Sequence, residues 1–364
     1  MFDITHVITT IDRGGAEKHL LQLASAQVAK GFRVRVIFLK GSGELLRDFE
    51  SGGCSVVTHL SNRNVLVQIL ELRKILEIDF GVIHAHLPRA ELLTAIVSRN
   101  KFIVSRHNAE KFFPGAPDFL SRQLSRFVET KTYGCIAISQ SVENFLIQSK
   151  EWSLATPIHV IYYGYEKHSL KTSVSRTELL KKLSIPESSY IIGTIARLAP
   201  QKDYPNLLQA FKLFLEIEPN SFLIAVGDGE LLDGMRLYAT QLEIAHRIKW
   251  IGKVANVEDY LQLFDVFVLT SQYEGFGLVL LEAANANLPI IASNISAIPE
   301  VLGPGYKYLA EVGEYRDFYS KLKLLRFTED SDYFVENNKV ILSRFTVEKM
   351  LNDTLKTYIN KKIS

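Results

Sequence analysis

The sequence predicts an α/β chain made of two doubly wound domains, and three observations support this expectation. Short β-branched runs alternate with longer amphipathic stretches, which is typical of right-handed βαβ units and a parallel sheet. The alternation lapses over 164–189, where the chain is charged and rich in Ser and Lys, and then restarts. A length of 364 residues is sufficient for two cores of ordinary size.

The first domain is predicted over 1–167, and the helical pattern Ala16–Ala29 follows its first strand. Its strands are expected at Ile4–Ile8, Arg33–Leu39, Val56–Leu60, Val82–Ala85, Phe102–Ser105 and Cys135–Ile138. The second domain is predicted over 168–345, with strands at Tyr190–Ala196, Ser221–Val226, Ile248–Ile251, Val266–Leu269 and Pro289–Ala292. Residues 346–364 are expected to form a helix that packs back toward the first domain.

Composition excludes several classes of protein. A formal net charge of +2 and a first domain with 20 basic and 16 acidic residues are too weakly basic for a nucleic-acid binder. No run of 18 apolar residues predicts a membrane span, and the N-terminal stretch, with Asp3, lacks the basic segment of a signal peptide. Cys54 and Cys135 are expected to be buried, reduced thiols. These features favour a cytoplasmic protein.

The loops after the strands are the expected location of the chemistry, because ligands of Rossmann-like domains bind beyond the carboxyl ends of strands. We expect the two domains to face each other across a cleft. The first such loop ends in Gly14-Gly15, directly before a helix. Two glycines let backbone N–H groups approach an anion, although a plain βα turn explains them equally well. No G-x-G-x-x-G run is present, which disfavours an NAD-dependent dehydrogenase.

Two cations follow the first strand of the second domain. Arg197 can act as a fork and Lys202 as a point charge, so together they suit a diphosphate; the alternative is a solvated loop. Gly227-Asp228-Gly229 ends the next strand and could approach a nucleobase or ribose, or form a plain turn.

The sharpest pattern is Glu274-Gly-Phe-Gly277 followed by an apolar helix that contains Glu282. Glycines before a helix leave free N–H groups at its start. We expect Glu282 to be buried within Leu278–Ala284, where a ribose diol would satisfy its carboxylate. The alternative is a core glutamate paired with an arginine.

Two further patterns resemble metal-binding motifs, but another explanation is favoured for each. His84 and His86 share one face of a strand, yet no acidic or Cys ligand is near them in sequence, so structural histidines are favoured. Asp330-Ser-Asp332 has the D-x-D form, but no strand precedes it and a solvated loop is favoured. His107, between Arg106 and Asn108 at the end of the next strand, is the better candidate for a site residue.

In this ordered set of motifs the chain resembles the family-four retaining glycosyltransferases, which have the two-domain GT-B fold. The resemblance runs from Gly14-Gly15-Ala16-Glu17 to Pro299-Glu300, and its most specific element is the Glu274-x₇-Glu282 pair. The family also matches at Arg197, Lys202, Gly227-Asp228-Gly229, Asn108, Ala137-Ile-Ser139 and Tyr163-Gly164. The chain departs from the family at 295–300, which lacks the usual Gly-Gly pair.

The resemblance implies roles for these positions. The implied catalytic set has four members. Glu274 would bind sugar hydroxyls, and Arg197 and Lys202 would clamp the diphosphate. His107 would lie against the transferred sugar. The implied donor-binding set is Gly14, Gly15, Gly227, Asp228, Lys253, Phe276, Gly277, Leu278 and Glu282. Gly15, Phe276 and Gly277 would act through backbone amides, and Glu282 would hold the ribose. The implied reaction retains anomeric configuration and uses no metal or other cofactor.

The expected function is therefore sugar transfer from a nucleotide-sugar, with UDP-sugars favoured over GDP-mannose, to a lipid-linked or glycan acceptor in cell-surface polysaccharide or glycoconjugate synthesis. Two alternatives are a non-catalytic binder of sugar nucleotides and a nucleotide-sugar 2-epimerase. Residues 99–131 carry seven basic and three acidic residues interleaved with Phe112, Phe113 and Phe119. This segment predicts peripheral association with an anionic membrane, at the inner face of the cytoplasmic membrane, although a core-packing helix with a basic face is an equal alternative.

Overall fold

The computed structural model describes residues 3–77, 81–328 and 330–359. The chain divides into two compact units. Unit 1 falls within Met1–Glu166 and Phe345–Ser364, and unit 2 is Lys167–Arg344. Unit 2 is thus inserted between two segments of unit 1, and the chain returns to its first unit at Phe345.

Each unit is built on a parallel sheet, as the alternation predicts. The strands are β1 Ile4–Ile8, β2 Val34–Phe38, β3 Ser55–Val57, β4 Val82–His86, β5 Phe102–Arg106, β6 Thr132–Ala137, β7 Ile158–Val160, β8 Tyr190–Ile195, β9 Ser221–Val226, β10 Ile248–Gly252, β11 Val266–Leu269, β12 Ile290–Ser293 and β13 Leu309–Ala310. Among the described residues, the sheet of unit 1 has the order β3-β2-β1-β4-β5-β6-β7 and that of unit 2 the order β10-β9-β8-β11-β12-β13. Both orders are doubly wound, so the predicted fold class is confirmed.

Helices connect these strands and cover the sheets. They are α1 Gly15–Ala29, α2 Leu46–Ser51, α3 Val65–Glu77, α4 Pro88–Val97, α5 Asp118–Thr130, α6 Gln140–Gln148, α7 Arg176–Leu183, α8 Tyr204–Ile217, α9 Leu232–Gln241, α10 Glu258–Leu261, α11 Leu278–Asn285, α12 Ile298–Leu302, α13 Tyr315–Arg326, α14 Ser331–Arg344 and α15 Val347–Ile359. The last helix, α15, packs against α1 and joins the core of unit 1 through Met350, Leu351 and Tyr358.

The central strands are buried on both faces, which explains why they appear as continuous apolar runs. All five residues of β1 are buried, including His6 in its centre. The strands β7 and β13 are not among those predicted from the sequence. They have three and two residues and lie at the sheet edges, where little apolar patterning is required. Cys54 and Cys135 are buried free thiols.

The basic segment 99–131 differs from its expected exposed arrangement. Arg106 is buried, with its Nε 2.8 Å from Glu91 Oε2, and its guanidinium stacks over the ring of Phe112, which is also buried. The buried carboxylate of Glu91 explains this, because a charge in the core is stabilised only when it is paired. Phe119 on α5 is exposed as expected. None of the helices in the described ranges is both long and apolar enough for a membrane span.

Candidate functional site

The candidate site of unit 2 lies where its strand order reverses. β8 has β9 on one side and β11 on the other, and both neighbours run parallel to it. The loops after β8 and β11 therefore leave the sheet side by side. Such a switch point is the usual ligand-binding location in open α/β sheets. It holds 196–203 from the first loop and 270–277 from the second.

An ion pair joins these two loops. Lys202 Nζ lies 2.5 Å from Glu274 Oε1, with side chains 16% and 8% exposed. Ser271 Oγ donates to the same Oε1 at 2.6 Å, whereas Glu274 Oε2 accepts no hydrogen bond from the described residues. Lys202 therefore does not have the solvated position that the loop alternative implies. Because β8 and β11 are neighbours, the second loop covers the lysine and supplies a carboxylate to it.

Hydrogen bonds to backbone carbonyls hold the two loops together. Thr270 Oγ1 donates to the carbonyl of Lys202 at 2.8 Å, and Gln272 N donates to the carbonyl of Gln201 at 2.8 Å. Gln201 Nε2 in turn donates to the carbonyl of Tyr273. Asp203 then adopts a left-handed conformation, with φ 46°, and turns the chain into α8. The ion pair is therefore held by both loops rather than carried on free side chains.

Arg197 is positioned differently from Lys202. Its side chain is 70% exposed, and its nearest acidic partner is Glu230, at 3.7 Å and 55% exposed. A pair this exposed contributes little to stability. Arg197 is thus an accessible cation on the same loop as Lys202, which is largely covered.

The glycines of Gly227-Asp228-Gly229 are explained by close backbone packing. A Cβ on Gly227 would lie 2.1 Å from the carbonyl oxygen of Ala196, and one on Gly229 would lie 2.4 Å from that of Leu198. Leu198 N donates to the carbonyl of Asp228 at 3.0 Å. The turn therefore supports the loop that carries Arg197, which corresponds to the plain-turn alternative.

Lys253 lies at the same edge, one strand further out. It follows Gly252 at the end of β10 and is exposed, and the carbonyl of Gly252 accepts a hydrogen bond from Gly227 N at 2.9 Å. Three successive loops of unit 2 thus bring Lys253, Gly227 and Arg197 to one edge of the sheet.

The helix α11 begins as predicted. Gly277 caps it with φ +85°, a conformation that favours glycine, and Phe276 before it and Leu278 after it are buried. Glu282, the fifth residue of the helix, is half-buried rather than buried as expected. Its helix position lies between the buried face and solvent, so its carboxylate does not need a fully enclosed partner.

The D-x-D segment does not form a cluster of converging carboxylates. Asp330 Oδ2 lies 2.5 Å from Lys307 Nζ and also accepts a hydrogen bond from the Tyr308 hydroxyl, whereas Asp332 belongs to the first turn of α14. The Lys307 and Tyr308 bonds hold the pKa of Asp330 below its ordinary value. The segment is therefore a tethered helix start rather than the predicted solvated loop.

In unit 1, Gly14 and Gly15 open α1 as expected. A Cβ on Gly14 would lie 2.3 Å from Glu17 Oε2, so the glycine makes room for this carboxylate to fold back over the helix start. A Cβ on Gly15 would meet no described atom within 4 Å. Open space beside a helix N-terminus suits an anion that approaches the backbone.

Glu17 is a candidate site residue that the sequence analysis did not single out. It is 8% exposed, and burial raises its pKa to about 7, with a smaller contribution from the charge of Asp12. A carboxyl group that titrates near neutrality beside a helix start is a candidate for a functional group. The signal in the sequence was its position three residues after Gly14, where a helix-capping glutamate commonly lies.

His107 lies in a cluster of aromatic rings at the end of β5. Its Nδ1 is 2.6 Å from the Tyr163 hydroxyl, and its Nε2 is 3.2 Å from His86 Nδ1. His19 of α1 stacks on Tyr163 with ring centroids 4.1 Å apart. Both nitrogens of His107 are therefore occupied, so a sugar can bond to this ring only by displacing one of these partners.

The structure brings some predicted residues together and not others. Lys202 contacts Glu274, and Gly227 supports the loop that carries Arg197. Glu282 lies on α11, which follows the loop of Glu274, whereas Gly14, Gly15 and His107 belong to unit 1.

Comparison with known proteins agrees with this architecture. Residues 13–167 match the family model described as Glycosyltransferase Family 4, and residues 175–339 match that described as Glycosyl transferases group 1. The crystal structure of Anabaena Alr3699/HepE in complex with UDP and glucose superposes with a TM-score of 0.86 at 20% identity, over 99% of this chain and 100% of that one. This similarity confirms the GT-B fold.

Two curated relatives are more similar in sequence. The UDP-Gal:alpha-D-GlcNAc-diphosphoundecaprenol alpha-1,3-galactosyltransferase of Escherichia coli is 28% identical over 212 residues, covering 56% of this chain and 54% of the relative. The N-acetyl-alpha-D-glucosaminyl L-malate synthase of Bacillus anthracis is 28% identical over 246 residues, covering 65% and 62%. The aligned region thus spans between half and two thirds of these relatives. With one family matched in each unit, the chain belongs to the group 1, family 4 glycosyltransferases.

Proposed function

We propose that the protein transfers a sugar from a nucleotide-sugar donor to a lipid-linked or glycan acceptor, with retention of configuration at the anomeric carbon and without a metal ion. UDP-sugars are the first donors to test and GDP-mannose the second. In this proposal unit 2 binds the donor nucleotide and unit 1 binds the acceptor. Gly15 and His107 of unit 1 keep the roles toward donor phosphate and transferred sugar that the resemblance implies.

The Lys202–Glu274 pair is the observation that carries the proposal. An ammonium group has three N–H donors, and Glu274 takes one of them in the described structure. The other two are available to phosphate oxygens. The unbonded Oε2 of Glu274 is available to a sugar hydroxyl. One pair can therefore contact both sides of the bond that breaks.

Arg197 complements this pair. When the sugar leaves, negative charge develops on the diphosphate, and preorganised cations stabilise that charge. Lys202 is fixed by its carboxylate, while the exposed Arg197 can move onto a ligand as a bidentate donor. The arrangement supplies positive charge without requiring a divalent cation.

The relatives support the choice of donor. The Escherichia coli relative is named as a UDP-galactose enzyme that acts on a diphosphoundecaprenol acceptor, and the Anabaena structure contains UDP and glucose. These names favour uridine nucleotides, and the first favours a lipid-linked acceptor, as in cell-surface glycan synthesis.

A thermal-shift screen against nucleotide sugars tests the donor. A ligand that binds only the folded protein stabilises it by about 2.7 kcal/mol at a hundred times its Kd, so the right donor raises the Tm. The double variant Arg197→Ala/Lys202→Ala should lose the shift, while Arg236→Ala, an exposed arginine of the same unit, should keep it. A donor that shifts the double variant equally would refute the proposed clamp.

Chelation tests metal independence. Transfer, measured as nucleotide release with membrane extract as acceptor source, should survive EDTA because Arg197 and Lys202 supply the positive charge. Loss of transfer that Mg²⁺ or Mn²⁺ restores would overturn this part of the proposal and would direct attention to Asp330-Ser-Asp332.

The exposed face of α5 supports the proposed contact with an anionic membrane surface. Phe119 and Phe127 are exposed there, next to Arg122 and Arg126. Aromatic and basic side chains on one helix face suit an anionic lipid interface. Sedimentation with anionic but not neutral vesicles, lost at high salt and in Phe119→Ser/Phe127→Ser, is expected; absence of binding to both would end this proposal.

A further inference from the structure

A continuous chain of buried hydrogen bonds crosses the core of unit 1. We call it the histidine chain, and its members in order are Tyr163, His107, His86, His6, Gln27, Tyr358, His84 and Ser105. All are buried, and the successive heavy-atom distances from the first pair to the last are 2.6, 3.2, 3.0, 2.8, 3.3, 2.7 and 2.8 Å. At its first end Tyr163 is bonded to His107, one of the predicted site residues of this unit.

The sheet explains why these groups meet. β1, β4 and β5 are neighbours, with His6 opposite His84 and His86 opposite Ser105. Side chains separated by two residues share a face of a strand, so His84 and His86 point to the same side. Gln27 of α1 and Tyr358 of α15 close the chain from the helices above this face.

The imidazoles of this chain are neutral. Burial is the main cause that lowers the pKa of His6 to about 4 and of His107 to about 3, and it lowers the pKa of His84 and His86 well below the ordinary value. A neutral imidazole has one N–H donor and one acceptor nitrogen. In a chain of such rings, the nitrogen that carries the proton in one ring therefore fixes which nitrogen carries it in the next.

The amide of Gln27 fixes the direction in which hydrogen bonds are donated along the histidine chain. Its Oε1 faces His6 Nε2, so that nitrogen must donate and His6 Nδ1 must accept. His86 then donates from Nε2 to His6, and His107 donates from Nε2 to His86. The remaining acceptor, His107 Nδ1, receives the Tyr163 hydroxyl proton.

The same amide also fixes the direction of donation in the other arm of the chain, from Gln27 through Tyr358 and His84 to Ser105. Gln27 Nε2 donates to the Tyr358 oxygen, which frees the Tyr358 hydroxyl to donate to His84 Nδ1. His84 Nε2 then donates to Ser105 Oγ. Each donor in this sequence meets an acceptor, with neutral groups throughout.

We propose that Gln27 is a positioning residue that sets the tautomer of His107 through His6 and His86, so that His107 accepts a hydrogen bond from Tyr163. Only one other arrangement satisfies the chain, in which the Gln27 amide is rotated and every proton moves to the opposite partner. His107 would then donate to Tyr163. The amide of one core glutamine thus selects between two polarities at the end of β5.

A metal site is a different use of the same residues. Ligand atoms of His6, His84 and His86 lie within 4.8 Å of one another. However, the six ring nitrogens are all engaged in the histidine chain, and the His84 and His86 rings lie 4.0 Å apart at 36° rather than converging on a point. The hydrogen-bonded chain accounts for every nitrogen, whereas a metal would require that several of these bonds break.

Nuclear magnetic resonance of the full chain with ¹⁵N-labelled histidine tests the tautomers directly. In the wild type, His6, His84, His86 and His107, assigned by single substitutions, should all carry the proton on Nε2. A set in which His6 and His107 differ, in which all are reversed, or in which any of the four titrates near neutral pH would overturn the proposal. Displacement of these protons by stoichiometric Zn²⁺ would overturn it in favour of the metal site.

The Gln27→Met variant tests the control by Gln27. It removes the acceptor for His6 Nε2–H, and an unpaired buried acceptor costs less than an unpaired donor. His6, His86 and His107 should therefore switch together to the Nδ1–H form, while His84, on the other arm, stays unchanged. Gln68→Met is the matched control, because Gln68 is equally buried and its amide donates to the carbonyls of Leu39 and Leu60. A switch in the control, or none in Gln27→Met, would refute the role.

A kinetic consequence rests on the proposed function. If His107 contacts the reacting sugar, Gln27→Met should lower kcat by about tenfold, equivalent to ~1.4 kcal/mol, with a smaller change in KM, and Gln68→Met should not. An altered tautomer without this loss would exclude the kinetic role of the chain. Absence of transferase activity in the wild type would instead refute the proposed function and leave the spectroscopic result standing.

Discussion

Unit 1 and unit 2 order their first six strands in the same way, yet they place different chemistry at the corresponding edges of their sheets. In unit 1, the central strands β1 and β4 carry neutral, buried histidines, and the buried His107 directly follows β5. In unit 2, the equivalent strands β8 and β11 contain no histidine, and the loops beyond them carry Lys202, Glu274 and Arg197.

The difference shows which level of structure decides function in this chain. The shared strand order determines where polar groups converge, but the residues placed there decide whether the edge is charged. The ion pair of unit 2 suits an anionic ligand. The histidine chain of unit 1 holds no net charge and suits oriented hydrogen bonds to an uncharged group such as a hydroxyl.

The strongest test of this contrast is Lys202→Ala. Loss of the cation at the diphosphate should lower kcat at least about a hundredfold, or ~2.7 kcal/mol. It should also lower the Tm, because Glu274 is left buried without its partner. Steady-state kinetics and thermal melts measure both effects.

The double variant Lys202→Ala/Glu274→Gln separates stability from catalysis. Removing both charges should recover most of the Tm and none of the activity. If Lys202→Ala keeps more than about a tenth of the wild-type kcat, unit 2 does not use this charge in transfer.

A smaller kinetic effect is expected for Arg197→Ala. Turnover should fall by more than about tenfold, while the Tm stays unchanged because the side chain is 70% exposed. Arg236→Ala, whose partner Asp233 is also exposed, is the control and should change neither quantity. Equal kinetics for Arg197→Ala and Arg236→Ala would show that Arg197 does not contribute to transfer.

The two glutamates sharpen the contrast within unit 2. Glu274→Gln should lower kcat more than it raises KM, because its free oxygen is placed for the sugar that changes shape during transfer. Glu282→Gln should mainly weaken donor binding, since an amide still accepts one hydrogen bond from ribose. Equal kcat losses in both variants, or a shared fall in Tm, would contradict these separate roles.

The smallest expected effect concerns Glu17, which differs from the neutral histidines of unit 1 because its carboxyl group titrates near neutral pH. Since burial raises its pKa to about 7, the folded protein between about pH 5 and pH 7 binds a proton that the unfolded chain has released. Its contribution to the free energy of unfolding therefore falls as pH rises, by about 1 kcal/mol per pH unit. The difference between wild type and Glu17→Gln isolates this slope from the histidines, and parallel curves would show that Glu17 ionises normally.

Sequence patterns predicted the fold because buried parallel strands must be apolar along their whole length. The strands β1, β9 and β11 begin and end at the predicted residues. The Lys202–Glu274 pair was not predicted, because 72 residues separate its members and only the adjacency of β8 and β11 joins them.

His6 was overlooked for a similar reason. A single polar residue in an apolar strand is an available signal, but its partners lie on β4 and α1. Arg106 seemed to belong to a basic surface because sequence shows its charge and not Glu91 beneath it. Individual charges are visible in a sequence, whereas their pairing depends on the completed sheet.

The return of the chain to unit 1 has a consequence for synthesis. A ribosome completes 167–344 before it reaches α15, which supplies Met350, Leu351 and Tyr358 to the core of unit 1. At about 5–20 residues per second, the first 166 residues wait on the order of ten seconds or more for that helix. The inserted unit can therefore fold during translation, whereas the unit that begins first is completed last. The core residues of unit 1 that pack against α15 remain uncovered until this helix has been synthesised.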